Sequence, residues 1–569
     1  MRDANEVADL LEETGRRAAF EGGNPYKAKA YVRAAASLRR LPQPLHELIG
    51  EGALQSIPGV GAAIAKRIET LHSGGIDEAL ERLRRKLPAG LLELLAIPGL
   101  KPQTIMKLHT RLGVNALEDL ARACSRGQVG ATKGLGPALE RKIVQGIAVA
   151  REGEGRLRMN QAQAVLEQTI ADLTRLRPEL RNISIAGDMR RACELVSDLR
   201  LVAVDPKASE LKVEPFGGLM LHTCPAARFG AVLLHATGSK AHHEQLGVLA
   251  GRKGFSLDAD GLRRGGKLIP TPNEAAVYRS VGLPVVPPEL REGTDEIARA
   301  RKGVLPDLIS TKDLKGVLHL HTIFSDGVHT LEQMAEAARA RGYTYLGITD
   351  HSQSAHYAGG LSLREIEEQH AIADELNRRH GGRFRILKGI ESDILADGSL
   401  DYAAEVLERF DFVVASVHSR FRLGRDEQTR RIITAVSNPY TTTLGHITGR
   451  QLLRRPGYDV DVEAILEACA RHGVAVEING NPYRLELDWR WHRRALQLGC
   501  LLSINPDAHS TEELDLVKWG VAVARKGGVA KDHVLNAMSI GQLKAYLQAR
   551  RHRPPASRKR RVPSSIERR

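Results

Sequence analysis

The sequence has little cysteine, and it lacks any long apolar run. Its five cysteines are scattered, odd in number and without a CxxC pair. This spacing argues against a disulfide framework or a thiolate zinc site, and for a reducing compartment. The N-terminus is polar, and no apolar run approaches the ~20 residues of a membrane-spanning helix. We therefore expect a cytoplasmic protein with no membrane partner.

Aromatic residues are also few, whereas basic residues are in excess. Aromatics make up 4% of the chain, and the formal net charge is +15 with a pI near 9.6. A basic chain attracts polyanions, and nucleic acid is the usual one. Because few aromatics are available for base stacking, we expect contacts to the nucleic-acid backbone. Residues 549–569 are basic, contain proline and have few apolar side chains, which predicts a disordered tail; a purely solubilising extension is the other interpretation.

The first 150 residues carry glycine hairpins between helical patterns. The clearest is Ile57-Pro58-Gly59-Val60-Gly61, a second copy surrounds Lys133-Gly134-Leu135-Gly136, and residues 95–102 hold a degraded one. Such a hairpin lets the backbone approach a phosphate, while the N–H groups that open the next helix face the anion. Simple helix packing also uses such turns, but three copies in a basic chain favour DNA contact. The residues predicted to bind DNA are Gly59, Val60, Gly61, Lys66, Gly134 and Gly136.

In the second half, metal-ligating side chains follow apolar, strand-like runs. Strands alternate faces with period two, so His319 and His321 share a face, as do Asp507 and His509 if that segment is extended. Barrels of alternating strands and helices gather their chemistry at the C-terminal strand ends. The predicted metal ligands are His319, His321, Asp326, His351, Glu391, His418, His446, Asp507 and His509.

This ligand set predicts a catalytic centre with more than one ion. Mixed imidazole and carboxylate ligands suit zinc, manganese or iron better than magnesium or calcium. Nine ligands exceed the needs of one ion, so we expect two or three divalent ions, Mn²⁺ or Zn²⁺. The residues expected to act in catalysis are His319, His321, Glu391, His418, Arg450 and Arg484. The two arginines would clamp phosphate oxygens, and an ordinary surface ion pair is the alternative for either.

Between these halves the pattern is mixed α/β. The strand 183–186 leads into Gly187-Asp188-Met189-Arg190-Arg191, and Thr237-Gly238-Ser239-Lys240 follows further on. In order, spacing and motifs, residues 1–548 resemble a bacterial family X DNA polymerase, in which a polymerase core is fused to a polymerase-and-histidinol-phosphatase (PHP) domain.

The resemblance implies a multidomain fold. An α-helical helix-hairpin-helix region would be followed by an α/β nucleotidyltransferase-like palm and thumb, and then by a distorted (β/α)7 PHP barrel. The implied limits are 1–85 and 86–150 for two helix-hairpin-helix regions, 151–225 for the palm, 226–292 for the thumb, 293–315 for a linker, 316–548 for the PHP domain and 549–569 for the tail.

The palm departs from the family pattern, which has Gly-Ser, then Asp-x-Asp, then a third Asp. Here Asp188 follows Gly187, Asp198 is followed by Arg200 two residues later, and Met220 aligns with the third acid. Two-metal nucleotidyl transfer needs oxygen ligands for both ions, so polymerase activity is expected to be lost. Glu210 or Glu214 would substitute if the alignment slips. The predicted vestigial site comprises Gly187, Asp188, Arg191, Asp198, Arg200, Met220, Gly238 and Ser239.

The resemblance also implies three metal sets: His319, His321, Glu391 and Asp507; Glu391, His418 and His446; and Asp326, His351 and His509. We expect a monomeric, nucleoid-associated 3′→5′ exonuclease that acts on gapped, nicked or 3′-ended DNA. The alternatives are an active gap-filling polymerase with this exonuclease, a small-molecule phosphatase of the histidinol-phosphate kind, and a non-catalytic DNA-end scaffold.

Overall fold

The computed structural model describes residues 2–21, 25–38, 41, 45–57 and 59–551. The chain divides into two compact units, Met1–Glu154 with Leu453–Arg455, and Gly155–Leu452 with Pro456–Arg569. Of the tail predicted to be disordered, residues 549–551 belong to the last helix and the remainder lies outside the described residues. Within the described part of the chain, no helix is long and apolar enough to cross a bilayer.

The first unit is helical. Apolar residues recur at helical spacing, as in Ile64, Ile68 and Leu71, and this face is buried. The helices enclose two apolar cores, one around Leu11 and Ile68 and one around Leu91 and Ile105. Its helices are α1 Ala4–Ala18, α2 Pro25–Leu38, α3 Leu45–Gly50, α4 Ala62–His72, α5 Glu78–Lys86, α6 Gly90–Glu93, α7 Pro102–Leu112, α8 Leu117–Ser125, α9 Gln128–Ala131 and α10 Pro137–Gly153.

The second unit opens with the palm region. Its four-stranded sheet has the order β2-β4-β6-β5, in which β4 and β6 are parallel and the other pairs are antiparallel. The elements are β1 Leu157–Arg158, α11 Met159–Leu176, β2 Arg181–Ala186, α12 Gly187–Arg190, β3 Leu195–Val196, β4 Leu199–Val204, β5 Lys212–Phe216, β6 Leu219–Cys224 and α13 Phe229–Thr237.

The thumb region follows, with a small antiparallel sheet of order β7-β8-β9. Residues 293–315, expected to form a linker, are packed: Ile297 and Ala300 join the thumb core, and Ile309 and Leu314 join the core of the following barrel. The elements are α14 Lys240–Arg252, β7 Phe255–Asp258, β8 Gly261–Arg264, β9 Lys267–Ile269, α15 Glu274–Ser280 and α16 Glu296–Lys302.

A barrel of parallel strands completes the unit, with the order β10 to β16. Its strands are almost wholly buried, as expected when helices cover them. Leu320 bridges Ala508, so the first and last strand segments meet. Capping boxes at Thr330 and Ser362 start two of the outer helices. The elements are β10 Gly316–Val317, α17 Leu331–Ala340, β11 Tyr345–Ile348, α18 Leu363–His380, β12 Arg385–Asp393, α19 Ala404–Leu407, β13 Phe412–Ser416, α20 Arg425–Ser437, β14 Thr441–Leu444, α21 Val462–His472, β15 Ala475–Asn479, α22 Trp489–Leu498, β16 Leu502–Asn505, α23 Val517–Lys526 and α24 Ile540–Arg551.

These observations confirm the predicted fold class. A helical N-terminal region precedes an α/β palm and thumb, and a nearly closed seven-stranded parallel barrel follows them. The barrel matters most for function because its strand ends bring distant residues together.

Candidate metal centre

The carboxyl ends of the barrel strands bring all nine predicted ligands into one cluster. In the described part of the chain, the groups of side chains close enough to share an ion contain these nine residues and no others. Within each group the ligand atoms lie within 4.8 Å of one another. The four groups are His321, Asp326, His351 and His509; His319, His321 and Asp507; His319, Glu391 and His446; and His351, Glu391 and His418.

Glu391 is the centre of this arrangement. It lies in β12, is 1% exposed, and belongs to two of the groups. Its Oε1 atom lies 3.0 Å from Nε2 of His446 and 3.3 Å from Nε2 of His418, while Oε2 lies 3.0 Å from Nδ1 of His351. The two oxygens therefore face different histidines, which is the geometry of a bridging carboxylate. His351 approaches Glu391 as well as Asp326, whereas the resemblance assigned it to a separate set.

Asp326 gathers the ligands on the open side of the cluster. Its Oδ1 atom lies 3.4 Å from Nε2 of His509, 3.6 Å from Nε2 of His351 and 3.7 Å from Nδ1 of His321. The side chains of Asp326 and His509 are 35% and 33% exposed. A substrate therefore has access to the cluster at these two residues.

Asp507 connects the cluster to the neighbouring strand end. Its Oδ1 atom lies 3.3 Å from Nε2 of His321, and its Oδ2 atom accepts a 3.0 Å hydrogen bond from the Asn479 side chain. The residue has a left-handed φ of 53°. Non-glycine residues hold such a conformation where the surrounding structure imposes it, and such residues concentrate at functional sites.

Several buried nitrogens in the cluster lack a protein partner. Nε2 of His319, both ring nitrogens of His321 and Nδ1 of His351 are buried and have no hydrogen-bond partner among the described residues. An unpaired buried polar atom is costly. Coordination of a cation would give these nitrogens a partner and remove this penalty. Because they converge with carboxylates, the residues present fit divalent metal ions.

The carboxylates are held in the ionised form that binds metal. Burial alone would raise the pKa of Glu391, but the positive charges of His418, His319 and His351 outweigh it and hold the pKa well below its usual range. Burial likewise opposes ionisation of Asp507, yet the charge of His319 and the ring of His321, 3.3 Å from Oδ1, keep that pKa low. Both groups are therefore anionic at neutral pH.

A second layer of carboxylates, not predicted from the sequence, orients the histidines. Glu477 in β15 accepts a 2.6 Å hydrogen bond from Nδ1 of His319, and Asp393 at the end of β12 accepts one of 2.6 Å from Nδ1 of His418. These bonds leave Nε2 of each ring facing the cluster, an arrangement common around metal-bound histidines. An acid inside a wholly buried strand, Ala475–Asn479, is the signal that would have identified Glu477.

The two arginines predicted to clamp phosphate differ in position. Nε of Arg484 lies 3.3 Å from Oδ2 of Asp507, so this guanidinium borders the metal cluster. Arg450 is instead engaged by protein atoms: it donates to the backbone carbonyls of Arg484 and Leu485 and to Asp488. The expectation that Arg450 clamps a phosphate does not fit this geometry, because its donors already hold the loop that carries Arg484.

In the palm, Arg200 and Met220 are direct neighbours on parallel strands. Nε of Arg200 donates to Oδ1 of Asp198 at 2.6 Å. Glu214, a potential substitute acid, pairs with Arg177 and Lys212. None of the metal-binding groups in the described residues includes a palm side chain. Asp198 is therefore neutralised by an arginine rather than joined by a second carboxylate.

Asp188 stabilises the loop that precedes Asp198. One carboxylate oxygen accepts from the backbone N–H groups of Ser197 and Asp198, and the other accepts from Arg191. Gly187, at φ 66°, passes so close to the carbonyl of Asp198 that a Cβ would lie 2.4 Å from it. These residues thus fix the loop, and Asp188 has little capacity left for an ion.

The last two residues of the predicted vestigial site, Gly238 and Ser239, open helix α14. The Ser239 hydroxyl accepts from the His242 backbone N–H, and its own N–H donates to the Arg291 carbonyl. A Cβ on Gly238 would meet the His243 ring at 2.8 Å. The segment therefore has the tight packing of a helix start.

The hairpin glycines have the backbone geometry that the sequence predicts. Gly59, Gly134 and Gly136 have φ values of 87°, 82° and 81°, a region that favours glycine. Gly61 and Gly136 are the N-caps of α4 and α10. The N–H groups that open α4 follow Gly61 directly, whereas in α10 they begin at Ala138, because Pro137 has no N–H. Val60 is buried and Lys66 is exposed. This geometry suits binding of a phosphate backbone.

Family models match four parts of the chain. They are a helix-hairpin-helix domain at residues 2–76, a SAM-like helix-hairpin-helix tandem at 91–148, a DNA polymerase beta thumb at 232–292 and a PHP domain at 318–481.

Relatives match either the whole chain or the barrel. The DNA polymerase/3′-5′ exonuclease PolX of Bacillus subtilis is 34% identical over 95% of this chain and 99% of its own length. A "Probable phosphatase" of Thermoanaerobacter sp. is 28% identical over 41% of this chain and 95% of its own length. A "Probable phosphatase" of Vibrio parahaemolyticus is 28% identical over 42% of this chain and 95% of its own length. The first similarity extends over all the regions described above.

Proposed function

The chain belongs to the PolX family, and from that premise we propose that it is a metal-dependent 3′→5′ DNA exonuclease whose polymerase activity is lost. Family membership rests on 34% identity over 95% of the chain, and it indicates a phosphoesterase or exonuclease that works on DNA. The proposal goes further by assigning the reaction to the barrel alone.

One contrast carries the proposal. Nine converging ligands surround the barrel cluster, whereas Arg200 and Met220 are neighbours beside Asp198 in the palm. Two-metal phosphoryl chemistry needs several oxygen ligands for its ions. The barrel meets this requirement, and a palm with one arginine-paired carboxylate does not.

Divalent ions bound by the nine ligands would polarise the phosphodiester and supply a nucleophile at neutral pH. The protein groups have separate tasks. Glu477 and Asp393 keep His319 and His418 in the tautomer whose Nε2 faces the cluster. Arg484, at the edge of the cluster, donates to a phosphate oxygen and offsets charge that develops there.

DNA is the substrate that the remaining regions favour. The helix-hairpin-helix matches and the thumb match indicate DNA as the partner. The hairpins contact the backbone through N–H groups, which suits gapped, nicked or 3′-ended DNA of any sequence. We propose that Mn²⁺ or Zn²⁺ occupies the centre, because imidazole and carboxylate ligands are mixed.

A small-molecule phosphatase is the second candidate, because the barrel aligns with phosphatases over 95% of their length. A small-molecule phosphatase would have no use for the helix-hairpin-helix regions. A working polymerase is a further candidate, because the full-length relative is named a DNA polymerase as well as an exonuclease.

One gapped DNA whose primer strand is labelled at its 5′ end separates these functions, because both shortening and extension of the primer can then be read from its length. The wild-type protein, with Mn²⁺ and all four nucleotides, is expected to shorten the primer and not to extend it. Replacing His319 or His418 with alanine should abolish shortening while DNA affinity is unchanged. The matched control is His533→Ala, which removes an exposed histidine of the same barrel. Extension by the wild-type protein would overturn the loss of polymerase activity, and hydrolysis by the His418→Ala variant would overturn the assigned site.

A further inference from the structure

An exposed tyrosine borders the metal cluster. Tyr357 is 69% exposed, although the chain has few aromatic residues. Its ring centroid lies 5.9 Å from that of His351 and 6.2 Å from that of His418, with interplanar angles of 60° and 69°. Both histidines belong to the predicted ligand set. The ring therefore stands edge-on to the cluster, and most of its surface faces solvent.

The turn that carries Tyr357 is firmly anchored. Tyr357 lies in the 3₁₀ turn His356–Ala358, whose N-cap is Ala355. Ala355 and Ala358 are buried, at 0% and 4% exposed. The two residues before them are also tied down. The backbone N–H of Gln353 donates to the hydroxyl of Tyr402 at 3.0 Å, and that of Ser354 donates to the carboxylate of Asp401 at 2.6 Å. A fixed turn presents an aromatic ring at low entropic cost.

The turn is also continuous with the ligands themselves. The carbonyl of His351 accepts from the N–H of Leu361, and the N–H of Ser352 donates to the carbonyl of Glu391. The position of Tyr357 relative to the cluster is thus set by backbone hydrogen bonds on both sides of the turn. A tyrosine ring held at a fixed place beside a charged centre offers an aromatic face on which a planar ligand group can stack.

We propose that Tyr357 forms a nucleobase subsite, on which the base of the terminal nucleotide stacks while its phosphodiester lies in the metal cluster. This inference rests on the proposed DNA exonuclease function and names what that site recognises. A base and its own phosphate are separated by one sugar, which matches a ring adjacent to the ligand histidines. Any base stacks on a tyrosine, so the subsite does not select sequence.

The subsite requires an unpaired base. Within a duplex both faces of a base are covered, so the terminal nucleotide must leave the stack before it reaches Tyr357. Frayed or mismatched 3′ ends leave the stack at lower cost. They are therefore the preferred substrates.

The test uses the full-length protein and two single-stranded oligonucleotides that differ only at the 3′ terminus. One ends in a thymidine nucleotide and the other in a tetrahydrofuran abasic residue. Tyr357→Ala should raise KM for the base-bearing end by about five- to hundred-fold and leave KM for the abasic end unchanged. Tyr357→Leu, which keeps apolar bulk without an aromatic face, should behave like Tyr357→Ala. Tyr357→Phe and Tyr357→Trp should retain the wild-type KM.

Two results would overturn the subsite. An equal KM increase on both ends would show that Tyr357 does not contact the base. A loss in Tyr357→Phe as large as that in Tyr357→Ala would assign the role to the hydroxyl group.

A binding measurement separates this inference from the proposed function. Calorimetry compares thymidine 5′-monophosphate with 2-deoxyribose 5-phosphate, which lacks the base. The wild-type protein should bind the nucleotide more tightly, and Tyr357→Ala should remove that preference. If the wild-type protein hydrolyses neither oligonucleotide, the exonuclease assignment fails, while this comparison still decides the base contact. Equal affinity of the wild-type protein for both compounds overturns the subsite.

Discussion

Oε1 of Glu477 accepts a hydrogen bond from Nδ1 of His319 at 2.6 Å, in the buried interior of the barrel. The two residues are 158 positions apart in the chain. The same carboxylate accepts from the His446 backbone N–H and the Asn505 side chain. One acid therefore fixes a ligand histidine and the backbone that carries another.

Replacing Glu477 with glutamine should weaken metal binding without removing a ligand. The amide keeps the shape of the carboxylate but loses the charge that makes His319 a stronger donor to metal. Removal of such an outer partner typically costs about 10–100-fold in metal affinity. Calorimetric titration with Mn²⁺ measures the effect, and Glu405→Gln, at an exposed position of the same barrel, is the control. Unchanged affinity would assign Glu477 to packing alone.

Arg484 and Arg450 should give opposite phenotypes, because one borders the cluster and the other holds its loop. Arg484→Gln removes a charge-assisted hydrogen bond to phosphate, worth about 1.5–3 kcal/mol, so kcat/KM for DNA should fall about 10–100-fold. Its thermal unfolding should change little.

Arg450→Gln breaks hydrogen bonds to the carbonyls of Arg484 and Leu485 and to Asp488. It should lower the free energy of unfolding by about 1.5–3 kcal/mol and reduce activity only through the displaced loop. Measuring Tm and kcat/KM for both variants separates the roles. A full loss of activity in Arg450→Gln at unchanged Tm would restore Arg450 as a direct phosphate contact.

The ligands could be predicted from the sequence because the end of each apolar run indicates where a barrel strand ends. In a parallel barrel, a histidine or acid at the end of an apolar run lies at the C-terminal face, where all the strand ends converge. The cluster of nine ligands was therefore predicted from local sequence pattern. Glu477 and Asp393 were missed, since their role depends on a histidine that another strand contributes. The contacts of Arg450 could not be predicted for the same reason, because its partners lie in a loop 34 to 38 residues away. Local pattern predicts which residues reach a site, and tertiary contacts decide which of them remain free to act.

Restoring two acids to the palm should create a metal site there. Arg200 and Met220 are paired across parallel strands, and Asp198 precedes Arg200 by two residues on the same side. The double variant Arg200→Asp, Met220→Asp should therefore place three carboxylates together, which is the ligand class that Mg²⁺ and Mn²⁺ prefer. Electron paramagnetic resonance titration should count one or more Mn²⁺ ions beyond the wild-type number. Each single variant serves as the control, and an unchanged count would mean that the strand ends are not arranged as a palm.

Acid should weaken the contact between palm and thumb through one buried carboxylate. Glu274 accepts hydrogen bonds from Arg190 of the palm and Arg291 of the thumb. Burial would raise the pKa of Glu274, but the two guanidinium groups outweigh it and lower the pKa to about 2. A depressed carboxyl pKa stabilises the fold above the unfolded value of 4.5, and this contribution is lost as pH falls from 4.5 towards 2.

The difference in pKa corresponds to a contribution on the order of 3 kcal/mol at neutral pH. Glu274→Gln removes the charge, so the variant should be less stable than the wild type at pH 6, and the gap should narrow as pH falls below 4.5. Hydrogen exchange of peptides that cover α15, measured at several pH values, reports this local stability, and Glu244→Gln, an exposed thumb acid, is the control. If the stability difference between the wild type and Glu274→Gln stays constant from pH 6 to 3, the ion pairs contribute no stability that depends on ionisation of this carboxyl group. The palm and thumb would then be held together by packing around Tyr278 and Val277 instead.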